Sequence, residues 1–545
     1  MMRLIQDASE EKLRGGFYTP VPIVDCILKW AINGQNNYKI LEPSCGEGIF
    51  LKRIMESKFE YSSIKAIEII PEEAAKTKMV NLNNCEVLNQ DFFQYCNDTK
   101  DKFDLIIGNP PYIRYQYFDK DQRIEAEKIF KKAGLKYSKL TNAWVSFIVG
   151  SCLLLKEKGK IGFVVPAEIL QVSYAKQLRN YLAHFFNKIS IISFQKLVFP
   201  NIQQEVVLLL CEKNGTKSHF IEHLEVKDLE DLESIDITKL KCPSKNIDFK
   251  SNKWTFYFLD QEEIDFLERL IDSRKILPLG YYAKVEVGMT TGYNHFFTVP
   301  PEIIEKYNLQ DYAKPMVGRS VQVPSIIYTE EDWKKNVENE ARAFFLELPT
   351  KDKLKGNPKA LEYIAAGEED NIHKLYKCSI RDEWQIVPSA WISDALFIRR
   401  NNIYPRLIEN QVRAYTTDTM HRVTINKEVK LDSHVTINIR ALIASYYNSL
   451  SLSFAEISGR SHGGGALELM PNEVENILIP YNEANEKIFD EIDKMMRDGS
   501  TIDMILEYTD RIILKEGYGF SDYEIELSNR IWKKLLNRRM SRNHG

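Results

Sequence analysis

In the run FDLIIGNPPYIRY, residues 103–115, an apolar segment ends abruptly in Asn109, Pro110, Pro111 and Tyr112. The two prolines withdraw two backbone donors and hold the chain extended, so neither sheet pairing nor an ordinary helical turn continues through them. An amide and an aromatic ring are thereby held at a rigid strand end. A Pro-Pro-x-Tyr ligand for a small aromatic-grooved domain has the same letters, but such ligands belong in disordered polar chain. Here the preceding Leu105-Ile106-Ile107-Gly108 reads as a buried parallel strand, and open α/β sheets gather ligands at the carboxyl ends of such strands.

Three earlier strand ends carry acids. LEPSCGEGIF sets Glu42 and Pro43 at a strand tip, with Cys45, Gly46 and Gly48 leading into the next helix, where glycine permits a tight turn and close approach to a ligand. The spacing is not Gly-x-Gly-x-x-Gly and no lysine follows as in a phosphate-binding loop, which disfavours a dinucleotide or nucleoside triphosphate. IKAIEII ends in Glu68 and Ile69, where a carboxylate can accept from both hydroxyls of a ribose. LNQDFF puts Asp91 just past the third strand, where it can accept from an adenine amino group while Phe92 covers the ring. Each acid alone reads equally as a helix cap. Three in order, one per strand end, describe a nucleoside pocket beside an amide and an aromatic ring.

Such a site needs a sheet whose strand ends lie side by side. Between Tyr38 and Leu210 the runs YKILE, IKAIEII, CEVLN, FDLIIG, KIGFVVP, ISIISF and EVVLLLCE alternate with helical stretches, which predicts a mostly parallel sheet flanked by helices. The last two runs, close together, suit an antiparallel edge. DQRIEAEKIFKKAG and LTNAWVSFIVGSCLLLKEKG predict helices closing at Gly134 and Gly159. This first, α/β domain is expected over residues 1–245. An α+β domain follows over 246–480 and a helical segment over 481–545.

With these residues in view, GGFYTP at 15–20, LEPSCGEGIF, AIEII, NQDFF and NPPY resemble the motifs of S-adenosylmethionine-dependent amino-methyltransferases of DNA, specifically the gamma class of adenine-N6 enzymes, across residues 15–215. Cys45 and Glu47, standing among the glycines, are the departures. The resemblance implies a Rossmann-like methyltransferase domain followed by a target-recognition domain, with S-adenosylmethionine as cofactor. Tyr18, Thr19 and Pro20 match the family's first cofactor motif. Glu42, Pro43, Cys45, Gly46, Gly48, Glu68, Ile69, Asp91, Phe92 and Asn109 are implied to complete the cofactor pocket. The resemblance also assigns the Asn109 side-chain oxygen and the Pro110 carbonyl as acceptors for the two amino hydrogens of adenine, drawing the lone pair of that nitrogen out of the ring. The target base must be flipped from the duplex at a cost of about a few kcal/mol. Tyr112 is then placed to stack on it, and the family's second stacking aromatic is matched here within LVFPNIQQEVVLLL by Phe199; a core aromatic at a strand entry is the alternative, set second because a ring in that turn has little core to fill. Trp144 and Phe147 suit either the cofactor's adenine or a buried helix face. No metal and no covalent intermediate is implied.

The same tetrapeptide occurs in enzymes acting on protein glutamine, RNA guanine and, with serine leading, cytosine N4. The early cofactor motif, the long chain after it and Asn109 favour adenine in DNA. A catalytically silent DNA-binding protein is the alternative of another class. In the second domain VEVGMTTGYNHFF, YKCSIRDEW and GRSHGGGALELMPNEVENILIP resemble segments of target-recognition domains. Gly463 and its two following glycines permit close approach to a phosphate backbone beside Arg460 and His462, or else form a hinge.

The chain of 545 residues, 44% hydrophobic and 28% charged, is long enough for two or three cores. It shows no signal peptide and no uncharged apolar run of membrane-spanning length, so a cytoplasmic location without membrane association is expected. Eight cysteines without a Cys-x-x-Cys pair suggest reduced thiols. A net charge of −4 opposes a nucleic-acid partner on average, yet Arg399, Arg400, Arg406, Arg413 and Arg422 crowd together, as do the basic residues of RIWKKLLNRRMSR. Double-stranded DNA is the expected partner of a monomeric, stand-alone methylase, since too little chain precedes residue 15 to hold a nuclease. A separately encoded restriction endonuclease is a compatible second partner.

Overall fold

The protein is described by a computed structural model covering residues 18–31, 37–57, 59–199, 204–238, 242–247, 253–426, 437–462 and 464–541. The chain divides into two units, one running to Ile264 and one from Asp265 to Met540.

The first unit follows the alternation in the sequence. Its elements are α1 (Val21–Ala31), β1 (Tyr38–Glu42), α2 (Ile49–Ser57), β2 (Tyr61–Glu68), α3 (Pro71–Lys78), β3 (Cys85–Asn89), α4 (Phe92–Asp98) and β4 (Phe103–Gly108). They continue as α5 (Lys120–Lys132), α6 (Ala143–Leu154), β5 (Leu155–Pro166), α7 (Lys176–Phe185), β6 (Lys188–Phe194), β7 (Val206–Glu212), β8 (Phe220–Val226) and β9 (Ser244–Asn246). The strands form one sheet in the order β3-β2-β1-β4-β5-β7-β6-β8-β9. Strands β1 to β5 pair in parallel, and β7 enters antiparallel between β5 and β6. The central strands are buried on both faces, which is why β4 and β7 read as continuous apolar runs. The strand order reverses between β1 and β4, and the crevice over such a switch point is where α/β sheets bind ligands.

Two expectations are corrected. The helix expected to close at Gly159 ends at Leu154, and residues from Leu155 already belong to β5, with Phe103 opposite Leu155 across the sheet. Gly159 lets the chain fold back on Leu155, whose side chain a Cβ at Gly159 would meet at 2.6 Å. The sheet also extends past the seventh strand. β8 pairs with β6 in parallel and is only partly buried, so its Glu222, His223 and Glu225 blur the apolar signal.

The second unit contains small sheets, among them an antiparallel one of Ala283–Val287, Met420–Ile425, Ala395–Ile398 and Leu407–Glu409. The helical segment at the end of the chain is part of this unit. Its last helix, Asp522–Met540, packs on Ser449–Ser458, where the Ser453 hydroxyl donates to the Ser528 carbonyl at 2.9 Å. Arg539, expected on a basic face, forms instead a buried ion pair with Glu456 at 2.6 Å. Among the described residues no helix is long and apolar enough to cross a membrane.

Candidate active site at the strand ends

The glycine turn after β1 is left-handed at Gly46 (φ +50°) and Gly48 (φ +76°), as a chain leaving a strand and entering α2 at once requires. The Cys45 N–H donates to the Ile67 carbonyl at 2.9 Å, and the Thr77 hydroxyl donates to the Gly46 carbonyl at 2.5 Å. A Cβ on Gly46 would meet nothing within 4 Å, so the turn opens onto free space, whereas one on Gly48 would press Thr77 at 3.1 Å. Glu68, at the tip of β2, accepts the Gly46 N–H at 2.9 Å through one oxygen and the Ile70 N–H at 2.9 Å through the other. Ile69 beside it is 50% exposed, an apolar face at the rim. Tyr18 is largely exposed with its hydroxyl at Glu47, Thr19 is buried, and the Pro20 carbonyl accepts the first N–H groups of α1.

Glu42, at the tip of β1, is 2% exposed, and its Oε2 has no hydrogen-bond partner. Burial, and secondarily the Glu68 carboxylate, push its pKa well above the usual range. Glu68 is shifted upward too, by burial against the opposing pull of its two backbone donors. Pro43 completes the strand tip. It lies 3.7 Å from where a Cβ on Gly108 would stand, as does the Glu42 side chain. A Cβ there would make only ordinary contact, so what Gly108 supplies is its backbone angle, φ +153°; beyond it the Asn109 carbonyl accepts the Ser44 hydroxyl at 3.4 Å, which sets Asn109 beside the glycine turn.

Asn109 is half-buried, and its Oδ1 accepts the Tyr112 hydroxyl at 2.8 Å. Burial raises the pKa of Tyr112, which keeps this hydroxyl a donor. Asp91 is the N-cap of α4: one oxygen accepts the Gln94 N–H at 2.9 Å and the other the Gln122 side-chain amide at 2.5 Å. The helix-cap alternative is thus realised, although each oxygen keeps a second lone pair.

Two aromatic expectations, for Phe92 and Phe199, are corrected, and the choice left open for Trp144 and Phe147 falls to the buried helix face. Phe92 is 3% exposed and stacks on Phe147 at 5.0 Å, so it lies in the core under α6 and shows no open face. Trp144 and Phe147 are likewise on the buried face of that helix. Phe199 does have a core to fill: it is 5% exposed, in the same apolar cluster against which Tyr112 packs.

In the second unit Arg460 pairs with Glu473 at 2.9 Å, and His462 with Glu468 at 2.7 Å. Glu468 also receives Arg399 at 2.9 Å and Arg400 at 3.0 Å. Its carboxyl is held down to about 2, foremost by the His462 hydrogen bond. Gly463 lies outside the described residues. Gly464 and Gly465 are left-handed and close a hairpin in which the His462 N–H donates to the Ala466 carbonyl. Arg406 and Arg422 are spent on the backbone carbonyls of Val323, Ser320, Val287 and Ser389. Of the expected basic face, Arg399 and Arg400 thus share one acid, while Arg406 and Arg422 are held by carbonyls that fix the guanidinium without cancelling its charge.

Sequence reasoning missed Asn142. An asparagine before an apolar helix reads as a cap, yet its side chain makes no cap bond to α6. Its Oδ1 accepts the Tyr115 N–H at 2.9 Å, and its amide donates to the Tyr174 hydroxyl at 2.9 Å, which donates in turn to Glu168 at 2.6 Å. The segment after Tyr112 is thus tied to the start of α6.

Strand order, switch point and glycine turn define an α/β fold of the Rossmann-like class. Residues 48–199 match the Eco57I restriction-modification methylase family, and residues 251–514 match the C-terminal domain of the type II methyltransferase M.Eco57I. Type II methyltransferase M.AccI of Acinetobacter calcoaceticus is 25% identical over 519 residues, 92% of this chain and 91% of that one. M.HincII of Haemophilus influenzae is 27% identical over 255 residues, 46% of this chain and 45% of its own. Through these matches the chain is similar to type II restriction-modification methyltransferases along both of its parts. In fold it is similar to a chain of the DrdV–DNA complex, with a TM-score of 0.50 at 13% identity over 89% of this chain and 57% of that one.

Proposed function

We propose that the protein transfers a methyl group from S-adenosylmethionine to the exocyclic N6 of an adenine flipped out of a specific double-stranded DNA sequence. The observation that carries this reading is the contact between the ends of β1 and β4, where the Ser44 hydroxyl donates to the Asn109 carbonyl at 3.4 Å and so sets the amide acceptor Asn109 beside the acid-rimmed glycine turn.

The residues present fit the cofactor. Glu42 is a buried carboxylate oxygen without a partner, suited to a ligand that carries positive charge. Glu68 has lone pairs left for a ribose, Ile69 offers an apolar face, and Gly46 opens the turn. When bound, the cofactor supplies an electrophilic methyl group. Asn109 Oδ1 and the Pro110 carbonyl accept the two amino hydrogens, so that the nitrogen lone pair turns toward that methyl. In the base-free protein Tyr112 holds the Asn109 acceptor through its hydroxyl. The entering amino group replaces that hydroxyl, and the tyrosine ring becomes available for stacking. Phe199, buried with the core, is not assigned to the second face of the base.

The second unit, matched by the C-terminal model of this family, is read as the part that selects the sequence. Modification-aware sequencing of DNA from cells expressing the protein tests the whole reading. N6-methyladenine at one recurring sequence is the expected result. Unmodified DNA, or N4-methylcytosine at that sequence, overturns it.

A further inference from the structure

We propose that the ridge Arg114–Tyr117, directly after the candidate catalytic tetrapeptide, is a DNA-contacting surface whose two tyrosine rings pack on the bases flanking the extruded adenine. This rests on the functional reading above and adds to it the residues that hold the strand at the flipping site.

Tyr115 and Tyr117 stand 40% and 45% exposed on a single 3-10 turn, and Arg114 before them is also exposed. The backbone beneath these rings is fixed on every side. The Tyr115 N–H is taken by Asn142, and the Tyr115 carbonyl receives the Arg123 guanidinium. The following Phe118 is 4% exposed, with its ring 5.7 Å from that of Phe93 in the core. Asn142 gives up capping its own helix for this purpose, and its amide is braced through Tyr174 to Glu168. Rigid backbone presenting exposed aromatic rings is how single-stranded bases are gripped, because each ring stacks without further loss of conformational freedom.

Charge selects the partner. From Ile113 to Asn142 the chain has eight lysines and arginines against four acids, in a protein whose net charge is −4. A polyanion is attracted here and an acidic or neutral protein surface gains little. Distance agrees as well. Five residues of chain, at most about 17 Å when extended, separate Tyr112 from Tyr117, the length of roughly five stacked bases. A strand whose adenine sits at Asn109 therefore passes within reach of both rings.

The test uses the full-length protein and a duplex carrying its mapped sequence with 2-aminopurine at the target adenine. Y115A/Y117A should weaken duplex binding and slow single-turnover transfer tenfold or more, with a matching loss of 2-aminopurine fluorescence. Y115F/Y117F should restore both to within a few-fold, since the ring and not the hydroxyl is used. R114A should weaken specific and non-specific duplex alike and lower the salt slope by about one. Cofactor affinity and melting temperature should not change in any of these. Wild-type binding, flipping and transfer by the double alanine variant would overturn the proposal. So would a loss of cofactor binding or of melting temperature in the alanine variant that Y115F/Y117F restores, which would make the rings packing elements, or an equal loss in both variants, which would assign the effect to the hydroxyls. Failure of the wild-type protein to methylate any DNA would instead remove the functional reading, and the ridge with it.

Discussion

Asn109 carries the chemistry in this reading, and its geometry yields a sharp expectation. Asn109→Ala deletes the acceptor that gains strength as the amino nitrogen becomes positive, so transfer should fall roughly a hundredfold or more, while calorimetry should find cofactor affinity nearly unchanged. Near-normal turnover would remove Asn109 from the site. Glu42 and Glu68 give a pH dependence. Both carboxyls are raised by burial, Glu42 further by its neighbour, so the ligand-free pocket retains protons above the usual carboxylate range. A cationic cofactor favours the ionised form. Its affinity should therefore fall as pH drops through those raised pKa values, and binding should release protons, measurable as an enthalpy that varies with the buffer. Affinity independent of pH between 5 and 8, with no buffer dependence, would mean Glu42 does not face the cofactor.

At the scale of elements, the helix Ser449–Ser458 begins over a buried acid. Asp510 is 2% exposed; one oxygen accepts the Ser449 N–H at 2.8 Å and the other has no partner. Burial pushes its carboxyl up to about 6, with the Ser449 N–H opposing. The folded state thus binds a proton more tightly than the unfolded chain. The stability this contributes is full below the unfolded pKa near 3.8 and is lost as pH rises through about 6, a difference of roughly 3 kcal/mol. Asp510→Asn should raise the melting temperature at pH 8 relative to wild type and flatten its dependence on pH between 4 and 7. An equal pH dependence in both proteins would place the titration elsewhere.

For the whole molecule, the division near Ile264 separates the strand-end chemistry from the sheets of the second unit. A fragment ending at residue 264 should still bind the cofactor in calorimetry. It should lose sequence-selective methylation, because contacts that read bases are assigned to the part removed. Sequence-selective modification by that fragment, seen in modification-aware sequencing, would move target selection into the first unit. Loss of cofactor binding alone would show only that the first unit needs its neighbour to fold.

The sequence alone determined the succession of β1 to β7 along the chain, the antiparallel pairing of β6 with β7, which the structure places inside the sheet and not at its edge, and the acid or amide at or just past the end of each of the first four strands. These depend on local physics: two-faced burial makes a strand uniformly apolar, left-handed turns need glycine, and consecutive prolines end pairing. What a side chain meets was decided only by the tertiary structure. Glu468 gathers Arg399 and Arg400 from one segment and His462 from another, so part of a run of basic letters became a charge cluster around a buried acid. Phe199 found a core supplied by residues far from it in sequence. Asn142 stands at an N-cap position but makes no cap bond, and braces the segment beyond Tyr112 instead. In each case the residue type was legible and its partner was not, because long-range pairing chooses among many groups of the same chemistry by shape and burial, and neither is written in local spacing.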